Sequence, residues 1–125
     1  MHEAGERTWA ELDADVDAAA AGLTVGLRLR PGDRVALALP NTPAFVTAYF
    51  GLLRAGLVAV PVNTGFTAPE LAVVLGESDA KAVLCDAATL SVAEEAVAGT
   101  HRALVDAAGL EALVAEGRAT GRVEP

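Results

Sequence analysis

The stretch RPGDRVALALPNTPAF, residues Arg30–Phe45, decides the fold. Its opening Arg-Pro-Gly-Asp is typical of a turn, because proline fixes φ and glycine tolerates a positive value. The near-continuous Val, Ala and Leu run that follows suits a strand buried on both faces of a parallel sheet. The run stops at Pro-Asn-Thr-Pro, where Thr42 suits a helix N-cap and Pro43 the first helical turn. This stretch therefore predicts a strand, a corner and a helix.

The same unit recurs along the chain. Further strands are predicted in LVAVPV (57–62), KAVLC (81–85) and HRALV (101–105). Capping boxes of the Ser/Thr-x-x-Glu type predict helix starts at Thr8 with Glu11, Thr67 with Glu70 and Ser91 with Glu94. LEALVAEG (110–117) predicts a last helical piece.

Alternating strands and helices predict an α/β fold. We expect a three-layer, doubly wound, mostly parallel sheet of about four strands with helices on both faces. The length of 125 residues predicts a single domain over 1–125. Residues 117–125 are predicted to be a linker or loop.

Composition limits the classes of function. The net charge is -8, from nine basic and seventeen acidic residues, which argues against binding nucleic acid or anionic membranes. No apolar run approaches the roughly 20 residues of a membrane span. The single cysteine, Cys85, cannot form an intrachain disulfide and fits a reducing compartment, so we expect a cytoplasmic protein.

Ligands in doubly wound sheets bind at the carboxyl ends of the strands. Asn41 could contact a ligand there, but helix capping by its neighbour Thr42 is the favoured interpretation of that corner. Asn63 and Thr64 are interpreted as turn formers. Asp86 could accept a hydrogen bond from a ribose hydroxyl, although no Gly-rich fingerprint accompanies it.

Other residues with reactive or bulky side chains are interpreted as structural. Cys85 is expected to be a small buried hydrophobe. The aspartates at 13, 15 and 17 are expected to form a solvated helix edge, since a metal loop needs a Gly-turned backbone. Trp9 and Tyr49 are expected in the core.

The two histidines, His2 and His101, are expected near the terminus and at the surface. No phosphate loop or dinucleotide fingerprint occurs in the sequence. No catalytic, cofactor-binding or metal-ligating residue is therefore assigned.

Three segments in order and spacing carry a family resemblance. They are RTWAELDADVDAAAAGL (7–23), LRPGDRVALALPNTPAFVTAYFGLLRAGLVAVPVN (29–63) and TAPELAVVLGESDAKAVLCD (67–86). Together they resemble the start of AMP-forming acyl-CoA synthetases of the adenylate-forming superfamily. The match is close over about 5–86 and loose over 87–125.

This resemblance implies a parent enzyme that joins a carboxylate to ATP and passes the acyl group to coenzyme A, with Mg²⁺ assisting. It also implies that the phosphate-binding loop and the catalytic lysine lie downstream, so none of the family's catalytic residues maps onto this sequence. The chain is then an N-terminal scaffold whose partner is the remainder of the enzyme, and inactive alone.

Two alternatives stay open: a free-standing, non-catalytic interaction module, and a small nucleotide-binding domain. For the isolated chain we also expect self-association, most simply as a dimer, because a short parallel sheet leaves faces and edges uncovered.

Overall fold

The fold of residues 8–120 is described by a computed structural model. Four strands are present: β1 (Arg34–Ala38), β2 (Val58–Pro61), β3 (Ala82–Cys85) and β4 (Ala103–Val105). Five helices alternate with them: α1 (Trp9–Gly26), α2 (Pro43–Arg54), α3 (Ala68–Ser78), α4 (Leu90–Val97) and α5 (Ala107–Thr120). The predicted α/β class and the four predicted strands are confirmed.

The strands form one parallel sheet in the order β2-β1-β3-β4. β1 lies inside the sheet, where Val35 is in register with Ala59 of β2 and with Ala82 of β3. Its last four residues are buried, as the continuous apolar run predicted.

The alternating side chains of the strands form two cores, one on each face of the sheet. On one face Leu37 and Leu84 pack with Leu23 of α1 and Leu52 of α2. On the other face the strands pack with α3 and α4, through residues that include Leu71, Leu75 and Ala93. The structure therefore has the three predicted layers, with α1, α2 and α5 on one side.

Two of the three predicted capping boxes are present. At Thr8 and Thr67 the hydroxyl accepts the amide of the third helical residue, whose glutamate accepts the cap amide in return. The box at Ser91 and Glu94 is wrong, because α4 begins one residue before Ser91. Its first turn is organised instead by the preceding corner, described below.

The predicted linker over 117–125 is wrong for residues 117–120, which continue α5. Contacts with α1 explain the longer helix. Arg118 pairs with Asp15, and Gly117 lies directly against the α1 backbone at Ala18. Residues 121–125 lie outside the described part of the chain.

Two expectations about side chains of α1 need correction. Trp9 is not in the core, since 86% of it is exposed. The aspartates of α1 are more than a solvated edge, because Asp13 and Asp17 pair with Arg54 of α2 and thereby fix the α1–α2 packing. The expected burial of Tyr49 is confirmed in part, as the ring packs against the first core.

Within residues 8–120 no helix is long and apolar enough to cross a membrane.

Candidate functional site

The carboxyl edge of the sheet is the place where a ligand would be expected. β1 and β3 are neighbours, and the helices that follow them, α2 and α4, pack on opposite faces of the sheet. The chain therefore leaves these two strand ends in opposite directions. In open α/β sheets such a switch point creates the crevice that binds ligands.

Thr89 lies at this switch point and bonds to both strand ends. Its hydroxyl donates to the carbonyl oxygen of Ala38, at the end of β1, at 2.7 Å. The same hydroxyl accepts the amide of Asp86, after β3, at 3.1 Å. Thr89 is only 6% exposed. One buried side chain thus links the ends of β1 and β3 at the switch point.

Asp86 is used by the same corner. Its Oδ1 accepts the amides of Ala88 at 3.0 Å and Thr89 at 3.1 Å. These bonds shape the turn into α4 and replace the capping box predicted further along. The arrangement favours a structural role for Asp86 over contact with a ribose.

The corner after β1 is a helix cap, as predicted. The Thr42 hydroxyl accepts the amide of Phe45 at 3.2 Å, and Pro43 occupies the first position of α2. Asn41 is exposed beside this cap. The hypothesis that Asn41 contacts a ligand stays a prediction.

The corner after β2 is a side-chain-supported turn, which confirms the interpretation of Asn63 and Thr64. Oδ1 of Asn63 accepts the amide of Gly65 at 2.7 Å. Asn63 and Thr64 are both exposed.

The corner after β4 contains a residue that the sequence analysis missed. The side-chain Oδ1 of Asp106 accepts the amide of Gly109 at 2.8 Å. The backbone carbonyl oxygen of Asp106 accepts the amide of Leu110, also at 2.8 Å. Asp106 is therefore the N-cap of α5. An aspartate directly before a helical segment was the signal that could have identified it.

Cys85 ends β3 and is 1% exposed, as expected of a buried hydrophobe. Burial raises the pKa of its thiol to about 11, and the negative charges of Asp106, Asp86 and Glu94 act in the same direction. The thiol is thus protonated at neutral pH, whereas a nucleophilic cysteine requires the thiolate.

No grouping of histidine, cysteine or acidic side chains that could hold a metal ion occurs among residues 8–120. His101 is exposed, as expected, two residues before β4. His2 lies outside the described residues.

The polar side chains at the carboxyl edge therefore share one role. Thr42, Asn63, Asp86 and Asp106 each accept backbone amides of the corner they occupy. Such bonds satisfy the free amides at a helix or turn start, which are the groups that would otherwise bind a phosphate. These side chains therefore stabilise the corners at the carboxyl edge of the sheet.

Comparison with known proteins identifies the family to which this fold belongs. A profile of the AMP-binding enzyme family matches residues 2–122. The chain belongs to the AMP-binding enzyme family. The resemblance inferred from the sequence is thereby confirmed.

Several relatives of the chain are named as CoA ligases. The long-chain-fatty-acid–CoA ligase FadD13 of Mycobacterium tuberculosis is 34% identical over 120 residues, which cover 94% of this chain and 24% of that protein. The crystal structure of the N-terminal domain of FACL13 from the same organism superposes with a TM-score of 0.82 at 33% identity, covering 94% of this chain and 30% of that one. A benzoate CoA ligase from Burkholderia xenovorans LB400 superposes with a TM-score of 0.82 at 27% identity, covering 87% and 23%.

The chain thus spans about a quarter of the length of these relatives. It matches the N-terminal part of acyl-CoA synthetases, in agreement with the sequence analysis.

Proposed function

We propose that this chain is the N-terminal scaffold of an AMP-forming acyl-CoA synthetase and carries no reaction centre of its own. The whole enzyme would form an acyl-adenylate and pyrophosphate from a carboxylate and ATP, and then transfer the acyl group to coenzyme A. ATP, Mg²⁺ and coenzyme A would bind to the rest of the polypeptide. We place this enzyme in the cytoplasm.

The hydrogen bonding of the switch point to itself is the observation that supports this proposal most. The Thr89 bridge spans the two strand ends, and the adjoining carboxylate Asp86 is used by the same corner. A switch point whose polar groups bond to one another is suited to support a site formed elsewhere.

The identity of the acid is not expected to be set by these residues. The same segment superposes on a fatty acyl CoA synthetase of M. tuberculosis with a TM-score of 0.80 and on a benzoate CoA ligase with a TM-score of 0.82. We therefore propose that this part of the fold is shared, and that residues outside it select the carboxylate.

Carboxylate-dependent exchange of pyrophosphate into ATP tests the proposal on the chain alone. We expect no exchange above background with fatty acids or benzoate, and no saturable binding of ATP. Exchange by the purified chain would contradict the scaffold role. ATP binding without exchange would favour the small nucleotide-binding domain instead.

We further propose that the isolated chain self-associates, with the dimer as the favoured form. Within residues 8–120 the strands β2 and β4 each pair with a single neighbour, so each has an open edge. Exposed apolar side chains add to these edges, including Val58 on β2 at 41%. Open edges and apolar patches both favour association.

A further inference from the structure

An apolar groove lies between the start of α1 and the end of α2. We call it the Trp9 groove; its lining residues are Trp9, Ala10, Leu12, Asp13, Val16, Phe50 and Arg54, and its volume is about 490 Å³. Its walls are the two aromatic side chains, of which Trp9 is 86% and Phe50 48% exposed. Aromatic rings so exposed are typical of surfaces that bind a partner.

Hydrogen bonds hold the Trp9 groove in shape. The amide of Thr8 donates to Glu11 at 2.8 Å, and the amide of Glu11 donates to the Thr8 hydroxyl at 3.1 Å. These two bonds form the N-terminal capping box of α1, which begins at Trp9. Arg54 of α2 donates to the carbonyl oxygen of Asp13 at 3.2 Å and to Asp17 at 2.7 Å, which fixes α2 against α1. The two helices that carry the groove are thus fixed against each other before an occupant binds, which lowers the cost of binding.

The charges at the rim are already paired with each other. Arg54 lies 3.0 Å from Oδ1 of Asp13, and both line the groove. An occupant therefore needs no charge to complement them. The remaining lining is aromatic and aliphatic, which suits an apolar segment of polypeptide.

We propose that the Trp9 groove is an interface at which an apolar segment from the rest of the same synthetase packs. This inference rests on the proposed function. The relatives have about three quarters of their length outside the part that this chain matches. In such an enzyme the remaining polypeptide would be a large, covalently attached partner for this surface. Trp9 and Phe50 are the largest of the exposed apolar side chains among residues 8–120, so covering this groove would remove a large apolar area from water.

Fluorine NMR of 5-fluorotryptophan-labelled protein tests the proposal. Trp9 is the only tryptophan of the chain, so the isolated chain gives one resonance. The same residue is followed in a chimera in which this chain replaces the matching segment of the M. tuberculosis FadD13 ligase, with a Trp9→Phe chimera to assign its signal. We expect a soluble paramagnetic agent to broaden the Trp9 resonance in the isolated chain, and expect that broadening to be lost in the chimera.

A matched control uses Val73 of α3, which is 58% exposed on the opposite face of the sheet. A fluorotryptophan placed there by Val73→Trp in a Trp9→Phe background should be broadened in both proteins. As a second readout, Trp9→Ala should lower the denaturation midpoint of the chimera and leave that of the isolated chain unchanged.

The outcomes separate the two proposals. An active chimera in which Trp9 stays broadened would overturn the groove inference and leave the scaffold role standing. An inactive chimera with an exposed Trp9 would overturn both. Protection that disappears on dilution of the chimera would assign the groove to a second copy. If removal of residues 1–7 increases the broadening of Trp9 in the isolated chain, the groove belongs to that segment instead.

Discussion

Thr89 links the ends of β1 and β3 through a single buried hydroxyl. Thr89→Val removes the hydroxyl that the Asp86 amide and the Ala38 carbonyl share, in a buried position. Leaving buried polar groups without a partner costs about 1–3 kcal/mol, so we expect a loss of that size in the free energy of unfolding. Urea denaturation measures it.

Ser91→Ala is the matched control for that substitution. Ser91 is exposed and does not cap α4, so its loss should change stability by less than about 0.5 kcal/mol. If Ser91→Ala cost as much as Thr89→Val, the capping box predicted from the sequence would be the better description of this corner.

Cys85 gives a prediction for pH. The pKa of its thiol is about 11 in the folded chain against an ordinary value of 9.0, so the unfolded chain loses this proton first as pH rises. Stability from this group should therefore be fully present below pH 9.0 and be lost as pH approaches about 11. Urea denaturation across this range should show the wild type losing stability relative to Cys85→Ala. A constant difference between the two would contradict the raised pKa.

At the scale of elements, α1 and α5 are held together by a close approach between glycines. A Cβ built on Gly117 would lie 1.8 Å from the carbonyl oxygen of Ala18, and one on Gly22 would lie 1.9 Å from that of Leu113. Backbone atoms cannot move aside cheaply, so Gly117→Ala should separate the helices. We expect a destabilisation of about 1–3 kcal/mol or more, measured by thermal or urea unfolding.

Gly76 of α3 provides the control for Gly117, because a Cβ there would meet nothing within 4 Å. Gly76→Ala should stabilise the chain by up to about 1 kcal/mol, through helix propensity alone. Two alanine substitutions in helices should thus have opposite signs. Equal effects would show that the α1–α5 contact is not as close as described.

The same elements show what the sequence could and could not predict. Strand β1 and the caps at Thr8, Thr42 and Thr67 depend on neighbouring residues, so local patterns were sufficient to identify them. The start of α4 depends on Thr89 reaching Ala38, 51 positions away, and the length of α5 depends on its packing against α1. Such contacts between distant residues leave no local signal.

The features of the candidate site that depend on local sequence could be predicted, and those that depend on distant contacts could not. The absence of any phosphate-loop motif is visible in the sequence, and so is the turn at Asn63. The prediction that Trp9 lies in the core is wrong, because the sequence does not indicate which side of the start of α1 packs against other elements. Exposure of Trp9 depends on the neighbours of α1 in space, which the sequence pattern of α1 does not contain.

At the scale of the whole molecule, the open sheet edges and exposed apolar side chains predict self-association of the isolated chain. The acidic net charge of -8 should limit it to small oligomers. Light scattering after size exclusion, over a dilution series, should show a dimer that dissociates at low concentration. A strictly monomeric chain that also fails to bind a hydrophobic dye would contradict the expectation and favour a free-standing module.

Acyl-CoA formation by the FadD13 chimera is the most direct measurement of the scaffold role. The baseline is FadD13 from which the matching quarter has been deleted, and the chimera carries this chain in place of that quarter. We predict that the deletion is inactive and that the chimera forms long-chain acyl-CoA, although the chain alone does not. A folded chimera as inactive as the deletion would contradict the account.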